Sequence, residues 1–154
     1  MNQQNDKWGE IMRISTKGRY GLRAVIDLSL NSNGDYVSLI SIAERQNISK
    51  NYLEQVFSAL RKSGIVKSVK GSQGGYLLNG KTSEIKIGDI LRALEGDLSV
   101  VKDDEITKNK IELCIKRNLW DKIDGKVFEF IDNLTLEDLI NEYNKGNDAL
   151  MYYI

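Results

Sequence analysis

The segment Lys50–Lys62, KNYLEQVFSALRK, holds two kinds of chemistry on two faces. Leu53, Val56, Phe57 and Leu60 fall at i, i+3, i+4 and i+7, the spacing of one buried helical stripe. The residues left over, together with the serine before them, are Ser49, Lys50, Asn51, Tyr52, Glu54, Gln55, Ser58, Arg61 and Lys62. Asn and Gln amides can pair bidentately with adenine edges. Glu can accept from the cytosine amino group, and Lys, Ser and Tyr can reach phosphate oxygens. A second stretch follows closely, Val69–Leu78, VKGSQGGYLL. Lys70 leads into Gly71, Ser72, Gln73, Gly74 and Gly75, with no acid among them. Glycine lets main-chain amides approach phosphates without a side-chain clash. Lys67 and Lys70 supply charge where a carboxylate would repel a polyanion. The stretch matches neither G-x-G-x-x-G nor G-x-x-x-x-G-K-[ST], so it does not read as a nucleotide-binding loop.

These residues need elements to hold them. Ser15 suits the N-cap of a first helix through Leu30, with Tyr20, Ala24, Ile26, Leu28 and Leu30 on a broad apolar face. Asn31–Asp35 reads as a stop and turn. A short helix, Leu39–Arg45 capped by Ser38, and the helix Lys50–Lys62, capped by Ser49 and ended by Gly64, have helix-turn-helix spacing. Ala43 sits where the two must cross closely. Asn47 is the residue best able to take the positive φ of the turn, and Ile48 plugs the angle between them. Ile65–Lys70 and Tyr76–Leu78 read as two short strands joined by a loop too long for a two-residue turn. IKIGDILRALEG is a further helix ending at Gly96. A long helix over 106–133 carries Ile111, Ile115, Leu119, Ile123, Phe128 and Ile131 on one face. Thr135 caps a last helix, LEDLINEY, ahead of the tail NKGNDALMYYI.

Composition narrows the function classes. The chain has 154 residues, 41% of them apolar, and no histidine. That removes the commonest general base and the commonest transition-metal ligand. The single cysteine, Cys114, makes no internal disulfide, which fits a reducing cytosol. No run is long and apolar enough to be read as a membrane span. The start, MNQQNDKWGE, lacks the apolar region of a signal peptide. The net charge of zero hides a division. Residues 12–96 carry 13 Lys+Arg against 7 Asp+Glu, and residues 97–154 carry 8 against 13. A cationic front and an anionic back suggest a polyanion-binding module joined to something else. The organisation is therefore an extension over 1–11, expected to be disordered, a winged helix-turn-helix domain over 12–96 and an acidic linker over 97–105. A helical region over 106–154 completes it. The fold class is mostly α with a small β-hairpin wing, and no enzyme is expected.

MRISTKGRYGLRAVIDLSL, ISKNYLEQVFSALRKSGIVKSVKGSQGGYLL and IKIGDILRALEG resemble the bacterial Rrf-two family of winged-helix transcription regulators. The likeness covers 12–96 almost without gaps. It implies a cytoplasmic homodimer, joined through the long helix, on a partly palindromic double-stranded operator. Ser49, Lys50, Asn51, Tyr52, Glu54 and Gln55 would then read the major groove. Lys70, Gly71, Ser72, Gln73 and Gly74 would lie in the minor groove or on its backbone, and Arg13, Lys17 and Arg19 would meet phosphates.

The cluster-binding members of that family carry three cysteines between the winged domain and the long helix. Here DLSVVKDDEITKNKIELC has only Cys114, so an iron–sulfur sensor is not expected, and neither is any other metal or cofactor. Cys114 reads either as a small buried interface residue or as a redox-sensitive thiol. TLEDLINEYN followed by ALMYYI resembles the cluster-free CymR-type repressors of cysteine metabolism. Regulation in those proteins involves a complex with O-acetylserine thiol-lyase (cysteine synthase). The resemblance makes Met151, Tyr152, Tyr153 and Ile154 the candidate partner-binding residues. The free carboxylate and apolar side chain of Ile154 are suited to capture by backbone amides. A regulator of the same family gated by a small effector or by Cys114 oxidation, without a protein partner, is the alternative.

Overall fold

Three serines start the first three helices. The Ser15 hydroxyl accepts from the Gly18 amide at 3.3 Å, Ser38 from Ser41 at 3.2 Å and Ser49 from Tyr52 at 3.2 Å. Each satisfies an amide that a helix start otherwise leaves unpaired. The computed structural model describes residues 13–72 and 74–151, the side chains of 149–151 excepted. The extension expected over 1–11 lies outside them. The helices are α1 (Thr16–Asn31), α2 (Leu39–Gln46), α3 (Lys50–Lys62) and α4 (Ile87–Glu95). Between α3 and α4, β1 (Val66–Val69) and β2 (Gly75–Leu78) pair antiparallel, with Val66 opposite Leu78 and Val69 opposite Gly75. α5 (Lys110–Ile115), α6 (Asp121–Asn133) and α7 (Leu136–Met151) follow.

The core lies between α1, α2, α3, β1 and α4. Leu53, Val56, Phe57 and Leu60, the stripe expected on α3, are all fully buried, with Ala24, Leu28, Ile42 and Ile90 around them. Ile48 is buried in the angle between α2 and α3. Asn47 takes the left-handed conformation at φ 53, as the tight turn requires. Ile131 and Leu136 join the same core from α6 and the start of α7. Lys86 and Thr135 pair as an isolated bridge, and Arg92 donates to both carboxylate oxygens of Asp132 at 2.7 and 2.9 Å.

One ion pair inside this assembly has no signature in the spacing. Asp27 on α1 is only 4% exposed. The Arg45 guanidinium of α2 donates to both its oxygens, at 2.7–3.1 Å, and Gln46 donates to Oδ2 at 2.8 Å. A buried carboxylate needs this complete set of donors. Hydrogen bonding to Asp27 in turn raises the Arg45 pKa above its ordinary value. The group clamps α2 against α1.

The last third departs from the expectation in three ways. The long helix begins at Lys110 rather than Ile106, because the Asn109 side chain accepts from the amides of Ile111 and Glu112 at 2.9 and 3.1 Å and caps it there. Its middle, Lys116–Trp120, winds as a π-helix, with the Asp121 amide donating to the Lys116 carbonyl. The expected single apolar face therefore splits. Ile111, Ile115 and Leu119 are exposed, whereas Phe128 is half-buried and Ile131 buried. Finally, α7 runs to Met151 instead of stopping at Tyr143. Thr135 caps it as expected: its hydroxyl accepts from the Asp138 amide, and Asp138 accepts from the Thr135 amide. None of the described helices is long and apolar enough to cross a membrane.

Candidate nucleic-acid interface

The outer face of α3 and the tip of the hairpin are held in fixed relation by two contacts. Val37, just ahead of α2, pairs with Tyr76 of β2: the Val37 amide donates to the Tyr76 carbonyl at 2.9 Å and the Tyr76 amide to Val37 at 2.8 Å. The Tyr76 ring also packs on Phe57 of α3, centroids 4.7 Å apart. The wing is thereby anchored at once to the start of α2 and to the inner face of α3.

On α3, Ser49, Lys50, Asn51, Glu54 and Gln55 are exposed, as are Arg61 and Lys62. Lys50 and Glu54 lie 3.5 Å apart and form an exposed i,i+4 pair. Such a pair contributes only a few tenths of a kcal/mol, about 0.3–0.5, and opens readily for another partner. Tyr52 differs from its neighbours. Its ring is half-buried, edge-on to Tyr20 of α1 at 6.1 Å. Burial, and secondarily Glu95, push its hydroxyl pKa up, so it remains an O–H donor.

Tyr20 also organises the cations of α1. The Arg19 and Arg23 guanidinium carbons lie 5.7 and 5.0 Å from its ring centroid. Arg13 and Arg19 are exposed and Lys17 is half-buried. Glu95, at the end of α4, accepts from the amide and hydroxyl of Ser15 and so ties down the start of α1.

The wing tip spans residues 70–74, with Lys70, Gly71 and Ser72 exposed. Gln73 lies outside the described residues. Gly71 has φ 129, a conformation that a side chain resists. The role expected of the other glycines needs correcting. The Gly74 amide donates internally to the Gly71 carbonyl at 3.0 Å. A β-carbon at Gly75 would collide with the Val37 carbonyl. These two glycines serve the close packing of the wing itself, so Gly74 does not present a free amide.

A groove of about 440 Å3 runs between the wing tip and the start of α2, walled by Tyr36, Ser38, Ser41, Arg45, Ser72 and Gly74. Spacing alone marks Ser38 only as a cap and gives Tyr36, Ser41 and Arg45 no place in a binding surface. The polar turn 31–38 was visible, but its position beside the wing depends on the Val37–Tyr76 pairing across 39 residues, which no local spacing encodes.

Two sets of candidates remain. Cys114 is exposed in the single chain rather than buried. Asn118 donates to its carbonyl at 2.8 Å and lies 3.6 Å from its sulfur. Met151 ends α7 with its side chain outside the described set, and Tyr152, Tyr153 and Ile154 lie outside the described residues.

Comparison with known proteins agrees with this geometry. Residues 14–142 match the Rrf2 family, described as an iron-dependent transcriptional regulator. The transcriptional regulator CymR of Bacillus subtilis is 45% identical over 143 residues, covering 93% of this chain and all of that protein. The regulator IscR of Pectobacterium atrosepticum is 38% identical, covering 90% of this chain and 85% of its own. The solved structure of B. subtilis CymR, titled as its global cysteine regulator, superposes with a TM-score of 0.71. It covers 84% of this chain and 97% of its own. The chain belongs to the Rrf2 family of winged-helix regulators. The residues here do not fit the iron in the family description: there is one cysteine and no histidine. Among the described residues, no three His, Cys, Asp or Glu side chains are grouped to hold a metal ion.

Proposed function

We propose that this Rrf2-family chain is a dimeric, cytoplasmic DNA-binding repressor of genes for cysteine or sulfur metabolism, and not an enzyme. The observation that carries the reading is the fixed relation of the exposed α3 face to the wing tip, held through Tyr76. In it, α3 enters the major groove with Ser49–Gln55 toward base edges. Lys70, Gly71 and Ser72 follow the adjacent minor groove or its backbone, and Arg13, Lys17 and Arg19 contact phosphates. The loose 3.5 Å pair with Lys50 leaves Glu54 able to accept from a cytosine amino group.

Dimerisation has its own support. Ile111, Leu113, Ile115 and Leu119 are 72%, 43%, 40% and 46% exposed on one stretch of helix. So much apolar surface on a short segment marks an interface. Cys114 falls on the same stretch. The metabolic role rests on the 45% identity to CymR. The proposed protein partner is O-acetylserine thiol-lyase, gripped through the tail 151–154. A second reading, a redox-gated regulator with no protein partner, requires the Cys114 thiol to stay open in the dimer.

Selection of bound sequences from random duplexes, with and without the thiol-lyase, tests the reading. A partly palindromic consensus is expected, sharpened by the enzyme. Gln55→Ala should change the preferred base at its position by about 1–3 kcal/mol. Absence of binding to any duplex at low salt would overturn the DNA-binding reading. Enzyme capture at full strength by a chain lacking Tyr152–Ile154 would overturn the tail's role. A response to peroxide and not to the enzyme would establish the redox reading instead.

A further inference from the structure

Between the linker that follows α4 and the helix after it lies a half-enclosed cavity of about 300 Å3, remote from the α3 face and the wing. That volume is at the small end of the range for organic ligands, roughly 300–1,000 Å3. We propose that this cavity is a binding site for a small organic cation, an amine carried on an apolar body.

The walls and the rim differ in character. Trp120 and Phe128 are the aromatic walls. Aromatic faces attract cations, and Phe128 already does so: the Arg92 guanidinium carbon lies 5.1 Å from its ring centroid. Trp120 reaches its place at the end of the π-helical turn, a local winding that in other helices often marks functional sites. Asp103, Asp121 and Asp124 stand on the rim against a single cation, Lys116. The Lys116 ammonium donates to Asp121 at 2.6 Å and lies 3.8 Å from Asp103. Asp124 accepts the Val100 amide on Oδ1 at 2.9 Å, and among the described residues its Oδ2 has no partner. The Arg92 guanidinium on Phe128 is matched by Asp132, and among the residues lining the cavity one ammonium faces three carboxylates beside two aromatic rings. Asp103 and Asp121 stand open to water, 92% and 49% exposed, whereas Asp124 is half-buried beside the apolar walls. A half-buried carboxylate oxygen next to aromatic rings favours a ligand whose charged end is positive and whose body is apolar.

The position has a consequence. Asp124 holds the linker through Val100, which is buried. A cation on the other oxygen of Asp124 would rest on the contact that fixes the linker to α6. Occupancy would tie the connection between the winged region and the helix that follows it.

The test uses the full chain without DNA, so its failure is separate from failure of the DNA-binding reading. Phenethylamine is titrated by calorimetry and by Trp120 fluorescence in a Trp8→Phe background. Its neutral, acidic and zwitterionic counterparts are 2-phenylethanol, 3-phenylpropionate and phenylalanine. Saturable binding of the amine is expected, with each counterpart weaker by about tenfold or more. Asp121→Asn removes a carboxylate and releases Lys116 to repel the amine, and should weaken binding to a similar degree. Gly125→Leu adds a side chain to the cavity wall at a position where a β-carbon meets no atom within 4 Å. Leucine is the better helix former, so this variant should fold, as circular dichroism will show, and yet lose the amine. Three results would each overturn the site: no saturation by phenethylamine, tighter binding of phenylalanine or phenylpropionate, or unchanged affinity in both variants.

Discussion

Two helical stretches of this chain carry similar apolar residues and treat them in opposite ways. On α3, Leu53, Val56, Phe57 and Leu60 are all at 0% exposure. On α5 and the π-helical turn, Ile111, Leu113, Ile115 and Leu119 are between 40% and 72% exposed. Helical spacing is present on α3 and in Ile111, Ile115 and Leu119, with Leu113 off that second stripe. The difference is the availability of neighbours: α1, α2, β1 and α4 surround α3, whereas α5 packs mainly against the π-helical turn that follows it. An apolar stripe reports that a helix must be covered, not by what. The first stripe is satisfied within the chain, and the second is the surface that the proposed dimer would cover.

The contrast can be broken by substitution. Phe57→Ala empties a fully buried site under Tyr76 and should cost about 3–5 kcal/mol, read as a lowered denaturation midpoint at every protein concentration. Asp27→Ala removes the acceptor shared by Arg45 and Gln46. Arg45 is partly exposed and can turn to water, so the loss should be about 2 kcal/mol. A midpoint within about 0.5 kcal/mol of wild type would show that the clamp is dispensable. Glu at both Ile111 and Leu119 should leave the dilute monomer's stability nearly unchanged, within about 0.5 kcal/mol. Sedimentation should nevertheless shift from dimer to monomer. If it did not, the second stripe would have another purpose.

The smallest effect concerns pH. Hydrogen bonding to Arg92 holds the Asp132 carboxyl below its ordinary value, while Arg92 itself is pushed up. A carboxylate with a depressed folded pKa contributes stability that is present above the unfolded value, about 3.9. That contribution is lost as pH falls through the lower folded value. Asp132→Asn should therefore lower stability slightly at neutral pH and flatten the decline below about pH 4. An unchanged acid limb would assign the decline to other carboxylates.

The legible parts of the fold were the local ones. Serine before an apolar period marked three helix starts within a residue. Asn47 and Ile48 marked the turn, and the glycines marked the wing. The illegible parts were contacts between distant residues and a change of winding. Asp27 and Arg45 lie 18 residues apart on different helices, and no spacing rule pairs them. Val37 and Tyr76 meet only once the hairpin folds back, so the groove residues Tyr36 and Ser41 were not visible beforehand. Asn144 and Gly146 disfavour a helix, so the sequence pattern ends the last helix at Tyr143. α7 continues through them to Met151. The π-helical turn contains no glycine or proline to betray it.

That turn carries a consequence of its own. A helix advances about 100° per residue, and a π segment takes up one residue more than a regular turn. Deleting a single amino acid between Lys116 and Trp120 would remove the surplus and let the rod wind uniformly, with Ile111 and Ile115 keeping nearly their present heading against Ile131, which is buried in the core. Winding all five residues of the turn regularly would instead swing everything upstream by roughly a quarter of a circle. The wide turn thus swallows one amino acid locally, and the exposed arm holds its aim on either side of it.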